Sequence, residues 1–241
     1  MMRNPFNFRR VMPFRTGPDR IACIFRSASL DNLSVEAATR LHRRIGISTF
    51  IDLQHYGSAE PIWGRLALNK VGISRIHVAI RSRARSPQTS EPDSDEYANY
   101  YASILEECAA SFAVAFCEVA FAAPQGVIFA CRQGKDRTGL LAAALQEAAE
   151  VSADKILSDF ARSGVALVRA ASEFQGSWRK RGLTRQEYLR RYYLGAAPLA
   201  KLQARLGGYG ALLRCIVSAA PTQLKMDNAI QVLRGLRGTR G

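Results

Sequence analysis

The sequence predicts an α/β fold: a central, mostly parallel sheet flanked by helices, with a helix-rich basic C-terminal part. Three observations carry this prediction. Gly126-Val127-Ile128-Phe129-Ala130 is a short apolar run bounded by Pro124 and Gly126, the pattern of a buried strand. A tight loop, Cys131 to Arg137, separates it from Leu140-Leu141-Ala142-Ala143-Ala144-Leu145, which reads as the start of a helix. Further strand patterns lie only upstream of this unit, whereas everything after Ser152 reads as helix.

Taken in order, residues 1 to 20 read as an irregular lead-in broken by Pro5, Pro13 and Pro18. Ile21 to Phe25 is a strand. Ser34 caps a helix running to about Ile45, with Glu36 near its positive end, and Gly46 stops it. Ser48 to Leu53 is a second strand. Asp52 ends it, where sheets of this kind carry functional groups; a turn or loop anchor is its plainer role. Ile73 to Ile80 alternates, with Ile76, Val78 and Ile80 on one face, as a third strand does. The charged stretch from Arg81 through Glu96 predicts a mobile loop. From Asp95 to about Ala122 the spacing of Tyr97, Tyr101, Ile104, Leu105, Cys108 and Phe112 predicts a long helix with a core stripe.

Beyond the loop, a helix is expected from Thr138 to about Glu150. Ser152 through Arg169 reads as one or two helices interrupted near Gly164. Thr184-Arg185-Gln186-Glu187 is a capping box that opens a helix over Tyr188 to Leu194. The remainder is helical, with breaks at Gly207-Gly208 and Pro221, and no internal repeat stands out.

Composition narrows the class. At 241 residues and 48% apolar content, the chain can bury one sizeable core, so residues 1–241 are expected to form one domain. No apolar run reaches the roughly 18 residues of a membrane span. Met1 to Arg10 is polar and lacks the apolar centre of a signal peptide. The five cysteines (Cys23, Cys108, Cys117, Cys131, Cys215) are odd in number and unpaired in spacing, which fits free thiols in a reducing cytoplasm. His42, His55 and His77 lack metal-ligand spacing, so neither a metal nor a cofactor is expected.

The net charge is +14, and from residue 160 onward 15 Lys or Arg face only Glu173, Glu187 and Asp227. Such a basic region would steer phosphorylated substrates toward an anion-binding loop. Nucleic-acid or anionic-membrane binding is the competing interpretation. No recognisable motif interleaves aromatics with these charges, so no nucleic-acid partner is expected.

The loop itself points to phosphate chemistry. Backbone N–H groups of a short loop running into a helix form an anion-binding nest. The same N–H groups and the helix dipole favour a thiolate at Cys131. Arg137 can grip two phosphate oxygens with its planar fork, and Thr138 can donate its hydroxyl to the sulfur. Arg132, Gln133, Gly134, Lys135 and Gly139 complete the phosphate-binding loop. Covalent phosphate-monoester hydrolysis through a cysteinyl phosphate follows as the expected reaction. A nucleotide-binding P-loop is excluded, because Asp136 follows Gly134-Lys135 where Ser or Thr belongs. A sulfur-transfer loop typically has one residue fewer between its Cys and Arg.

Cys-x-x-Gly-Lys-Asp-Arg-Thr-Gly resembles the active-site loop of the protein tyrosine phosphatase superfamily, and more narrowly that of bacterial tyrosine/dual-specificity phosphatases. The similarity extends to Asn7-Phe8-Arg9, to Ile24-Phe25-Arg26-Ser27-Ala28-Ser29-Leu30, and to Gly46 through Leu53 followed by Glu60. Glu187-Tyr188-Leu189 and Leu206-Gly207-Gly208-Tyr209 resemble the family's C-terminal helical region. The resemblance implies a general acid, with Asp136 the first choice and Asp93 and Asp95 as loop alternatives. It also implies a helical lid over about 153–195 and a phosphorylated substrate: a phosphoprotein, a phosphoinositide or a phosphorylated small metabolite. Lys135 is expected at the rim as an added cation. Two departures stand out. Ala130 replaces the His that usually precedes the nucleophile, and Gln54 replaces an Arg. Ala130 also motivates a non-catalytic phosphate-binding alternative.

Overall fold

In a computed structural model, residues 5–15, 21–56 and 62–236 are described. Five strands form one sheet in the order β1-β2-β5-β3-β4: β1 is Arg9–Arg15, β2 Ile21–Ser27, β3 Thr49–Asp52, β4 Ser74–His77 and β5 Val127–Ala130. The pairs β2/β5, β5/β3 and β3/β4 are parallel, and only β1 runs antiparallel, against β2. The lead-in expected to be irregular therefore contains a strand. Its Pro13 is tolerated because β1 is an edge strand with one hydrogen-bonded neighbour, and the pairing slips between Arg10 and Met12.

The central strand β5 has no solvent exposure at any residue, so its side chains serve both faces. Val127 and Phe129 pack into the larger core, beneath α3 (Ser94–Ala122), α4 (Asp136–Ala148) and the C-terminal helices α8 (Ala197–Arg205), α9 (Ala211–Ser218) and α10 (Gln223–Leu236). Ile128 and Ala130 face a second core under α1 (Val35–Arg40) and α2 (Ile62–Lys70). Burying each large apolar side chain contributes about 1.5–3 kcal/mol. Ser34 caps α1 as its sequence predicts, and a wider turn over Leu41–Ile45 ends on Gly46 with φ +83°. The helix α2 carries no strong sequence signal. It holds Gly64 in its interior because a Cβ there would lie 2.1 Å from the Leu30 carbonyl oxygen.

The segment expected as a lid comprises α5 (Ala153–Arg169), α6 (Gln175–Arg179) and α7 (Arg185–Tyr193), with a small core of its own around Leu167, Phe174, Trp178 and Tyr188. The Thr184/Glu187 capping box opens α7. Contrary to the sequence reading, Gly164 does not interrupt α5. It lets α7 approach: a Cβ at Gly164 would sit 2.3 Å from the Tyr192 carbonyl oxygen. Gly164→Ala should therefore force α5 and α7 apart and destabilise the chain by about 1–3 kcal/mol. Thermal unfolding should show a melting point lower by roughly 2–4 °C per kcal/mol lost; an unchanged melting point would contradict this packing.

Candidate active site

The central strand delivers Cys131 to the C-terminal edge of the sheet, and α4 begins five residues later at Asp136. Cys131 keeps only 3% of its surface exposed and lines a cleft of about 160 Å³. Its backbone N–H donates to Thr138 Oγ1 at 2.9 Å. That bond uses the hydroxyl oxygen as acceptor and leaves its hydrogen to donate elsewhere.

The loop is held open from outside through its carbonyls. Arg132 O accepts from the Ser29 N–H at 3.1 Å. Asn7 Nδ2 donates to Gln133 O at 3.0 Å and to Gly134 O at 2.8 Å. Arg26 Nη2 donates to Gly134 O at 2.9 Å. In a trans peptide the N–H of the next residue points opposite to the carbonyl. Tying three successive carbonyls outward therefore turns the following N–H groups into the loop, where they make an anion nest. Gly134 is required for this: its φ is +66°, and a Cβ would lie 2.3 Å from Ser27 O.

Beneath the loop lies a buried charge network. Asp159 of α5 accepts from Arg9 Nε at 2.7 Å and from Arg26 Nη1 at 2.7 Å. Arg9 also donates to Asn7 Oδ1, and both guanidiniums reach Ser163 Oγ. Burial pulls Arg26 down to about 10, helped by the neighbouring charge of Arg9 and resisted by Asp159. Burial alone would raise the Asp159 carboxyl, but Arg26 and Arg9 outweigh it and hold it below the ordinary value.

On the α4 side, Lys135 is not at an exposed rim. It is only 4% exposed, with its Nζ 4.5 Å from the Tyr97 ring centroid and 5.8 Å from those of Tyr101 and Tyr192. Asp136 Oδ1 accepts from Tyr101 Oη at 2.8 Å and lies 3.4 Å from Lys135 Nζ. Gln133 Nε2 donates to Tyr188 Oη and Tyr192 Oη, both at 2.9 Å, which ties α7 onto the loop. Arg137 Nη1 donates to Leu53 O and Ile80 O at 3.3 Å each, so its guanidinium turns toward the strand ends and lines the cleft with Cys131.

The sequence model of the tyrosine phosphatase family matches residues 2–225. The chain belongs to the tyrosine phosphatase family. No curated protein sequence matches it significantly. Among solved structures it is similar to the Siw14 catalytic core, at 20% identity over 67% of this chain and 78% of that one, with a TM-score of 0.46. It is also similar to the core catalytic domain of the PP-IP phosphatase SIW14 from S. cerevisiae in complex with citrate, at 20% identity over 68% and 78%, with a TM-score of 0.39.

The remaining candidate carboxylates of this phosphatase lie away from the Cys131 cleft. Asp93 caps α3, accepting from the N–H groups of Asp95 and Glu96. Asp95 is bound by Lys201 and Arg205. Neither lines the cleft, whereas Asp136 does. Asp52 is 1% exposed and accepts from Arg75, from Tyr56 Oη at 2.8 Å and from the Gln54 N–H. Gln54, standing where Arg was expected, donates to Ser29 Oγ at 3.3 Å and Asp31 Oδ1 at 3.1 Å, beside the Ser29 N–H that holds Arg132 O. Ala130 is fully buried in the core under α1 and α2. The loop expected to be mobile is tethered through Ser82 and the Arg83 N–H to Glu107, and through Glu91 to Arg190. Glu60 lies outside the described residues.

The sequence reading missed Asp159 and Ser163, because one acid and one serine on an amphipathic helix look like surface residues. It also missed Tyr97 as a cleft wall, whereas Tyr101 is the core residue that the spacing predicts. Asp159→Asn should leave two guanidiniums buried without a full counter-ion and cost about 3–5 kcal/mol near neutral pH. A depressed carboxyl stabilises the fold above its unfolded value and loses that contribution as pH falls through its folded value. The gap between wild type and variant, measured by denaturant titration, should therefore close in acid below the ordinary value of 3.8. A gap independent of pH would refute the assignment.

Proposed function

We propose that this phosphatase hydrolyses phosphate monoesters through a cysteinyl-phosphate intermediate, with Cys131 as nucleophile, Arg137 as phosphate clamp and Asp136 as proton donor and acceptor. The observation that carries this reading is the outward anchoring of the carbonyls of Arg132, Gln133 and Gly134 around Cys131. It aims a ring of N–H donors at the point where phosphate oxygens would gain charge in the transition state.

In the first step the Cys131 thiolate attacks phosphorus in line, an S–P bond forms and the ester P–O bond breaks. Asp136 gives its proton to the departing oxygen. Its Oδ1 is oriented by Tyr101 and Lys135, while Oδ2 makes no hydrogen bond among the described residues and serves for proton transfer. In the second step water attacks phosphorus and passes its proton to Asp136. The S–P bond breaks, and Thr138, whose oxygen is already occupied by the Cys131 N–H, turns its hydroxyl hydrogen to the leaving sulfur.

A small phosphorylated metabolite is the second reading for the substrate, beside phosphoproteins and phosphoinositides. It is favoured by the near-complete burial of Cys131 and by the narrow cleft that Tyr188 and Tyr192 of α7 border.

Cys131→Ser should abolish p-nitrophenyl phosphate turnover while retaining phosphate binding by calorimetry. Asp136→Asn should lower kcat/KM on phenyl phosphate, which reports the first step and not the shared hydrolysis of the cysteinyl phosphate, by about 10²–10⁴. Its effect on p-nitrophenyl phosphate should be far smaller, because that leaving group departs without a proton. Equal losses on the two esters would assign Asp136 to loop orientation instead.

A further inference from the structure

One charge in the cleft is left unbalanced. Arg191, on α7, is 3% exposed, yet it lines the same cleft as Cys131 and Arg137. Its Nε donates to the Tyr188 carbonyl at 2.9 Å, and its guanidinium stacks 4.6 Å from the Tyr188 ring centroid. Its Nη2 is closed off from solvent with no hydrogen-bond partner, and no carboxylate pairs with it among the described residues. The contrast with Arg9 and Arg26 is direct, since those two share Asp159. Asp136, the carboxylate bordering the cleft, already holds Tyr101 and Lys135 on one oxygen. Arg181 borders the cleft too, and both arginines lie within electrostatic reach of the Tyr97 hydroxyl.

A buried guanidinium without a counter-ion is costly unless an anion arrives to complete it. The scissile phosphate is already provided for by the loop and Arg137. We infer that Arg191, with Arg181 beside it, is a second anion subsite, and that the preferred substrate is a compact ester carrying a second phosphate close to the scissile one. This rests on the phosphatase reading of Cys131 and goes beyond it, because it concerns a group on α7 that the reaction itself does not need. The same pair of phosphates occurs on soluble polyol bisphosphates and on lipid headgroups.

The test compares kcat/KM for myo-inositol 4,5-bisphosphate against myo-inositol 4-phosphate, and for dioctanoyl phosphatidylinositol 4,5-bisphosphate against the 4-monophosphate. In wild type the bisphosphate should be preferred in at least one pair, which identifies the source. Arg191→Met should reduce that preference roughly tenfold or more, the loss of one charge-assisted contact, and Arg191→Lys should restore part of it. A preference ratio that is the same in wild type and both variants overturns the subsite, and so does a loss that falls equally on mono- and bisphosphates. Melting curves show whether Arg191→Met is folded; should it not be, Arg181→Met is read by the same ratio. If wild type shows no Cys131-dependent turnover at all, the catalytic reading fails. The subsite is then decided by calorimetric binding of myo-inositol 4,5-bisphosphate to Cys131→Ser with and without Arg191→Met.

Discussion

The site depends on one carboxylate buried between two guanidiniums. Asp159, Arg9 and Arg26 come from α5, β1 and β2, three elements distant in sequence that the network ties beneath a single loop. Replacing such a cluster by apolar side chains often costs a protein nothing in stability. Its value is positional. Arg26 uses Nη1 on Asp159 and Nη2 on Gly134 O, so the ion pair sets where the loop carbonyl points. Arg9 does the same at one remove, through Asn7, whose amide holds Gln133 O and Gly134 O. Even pulled down to about 10, Arg26 stays charged at neutral pH. Two cations over one anion leave net positive charge under the nest, on the side away from the cleft, where it adds to the pull on an incoming phosphate.

Chemistry concentrated in consecutive residues is legible in the sequence itself. Cys131 through Gly139 declares its strand, turn and helix start by composition alone; the strand ends at Ala130 as read, while the helix opens at Asp136, two residues before Thr138. Helix limits written in capping residues, Ser34 and Thr184, were equally readable. Asp93 and Glu96 form the same kind of cap, but inside an acidic loop Asp93, like Asp95, reads equally as a candidate proton donor. What the sequence hid was whatever depends on a partner far along the chain. Pro13 argues against a strand until β1 is known to be an edge. Gly164 argues against a continuous helix until Tyr192 is known to lie against it. Lys135 looks like a rim cation until tyrosines from α3 and α7 close around it.

The two departures from the family pattern are absorbed locally. Ala130 leaves no polar group behind β5; its methyl joins Phe25, Ile47 and Ile128 in the core under α1 and α2, and its carbonyl accepts from the Leu53 N–H at 2.8 Å. Orientation of the loop thus falls on Asn7, Arg26 and Ser29 rather than on a side chain immediately before Cys131. Gln54 is neutral where an arginine would add charge. It still bridges Ser29 and Asp31, so the contact below Arg132 is kept while one cation is withdrawn from that edge of the sheet.

That withdrawal shifts the weight of positive charge toward α7 and the loop. Arg132, Lys135, Arg137, Arg181 and Arg191 border the cleft against the single carboxylate of Asp136. Between them stand Tyr97, Tyr100 and Tyr192, with Tyr101 behind. Burial first, then nearby Asp136 or a neighbouring tyrosine, pushes each of these hydroxyls well above the ordinary phenol value. They remain protonated at any physiological pH and act as neutral donors. Had glutamates or aspartates filled these positions, they would have neutralised the cations and repelled a dianion. Tyrosine instead supplies packing surface, a ring face for Lys135 and a hydroxyl for Asp136 without adding negative charge. The cleft therefore keeps a strong positive field between largely buried walls, where each fixed cation acts on a phosphate with less screening than on an open surface.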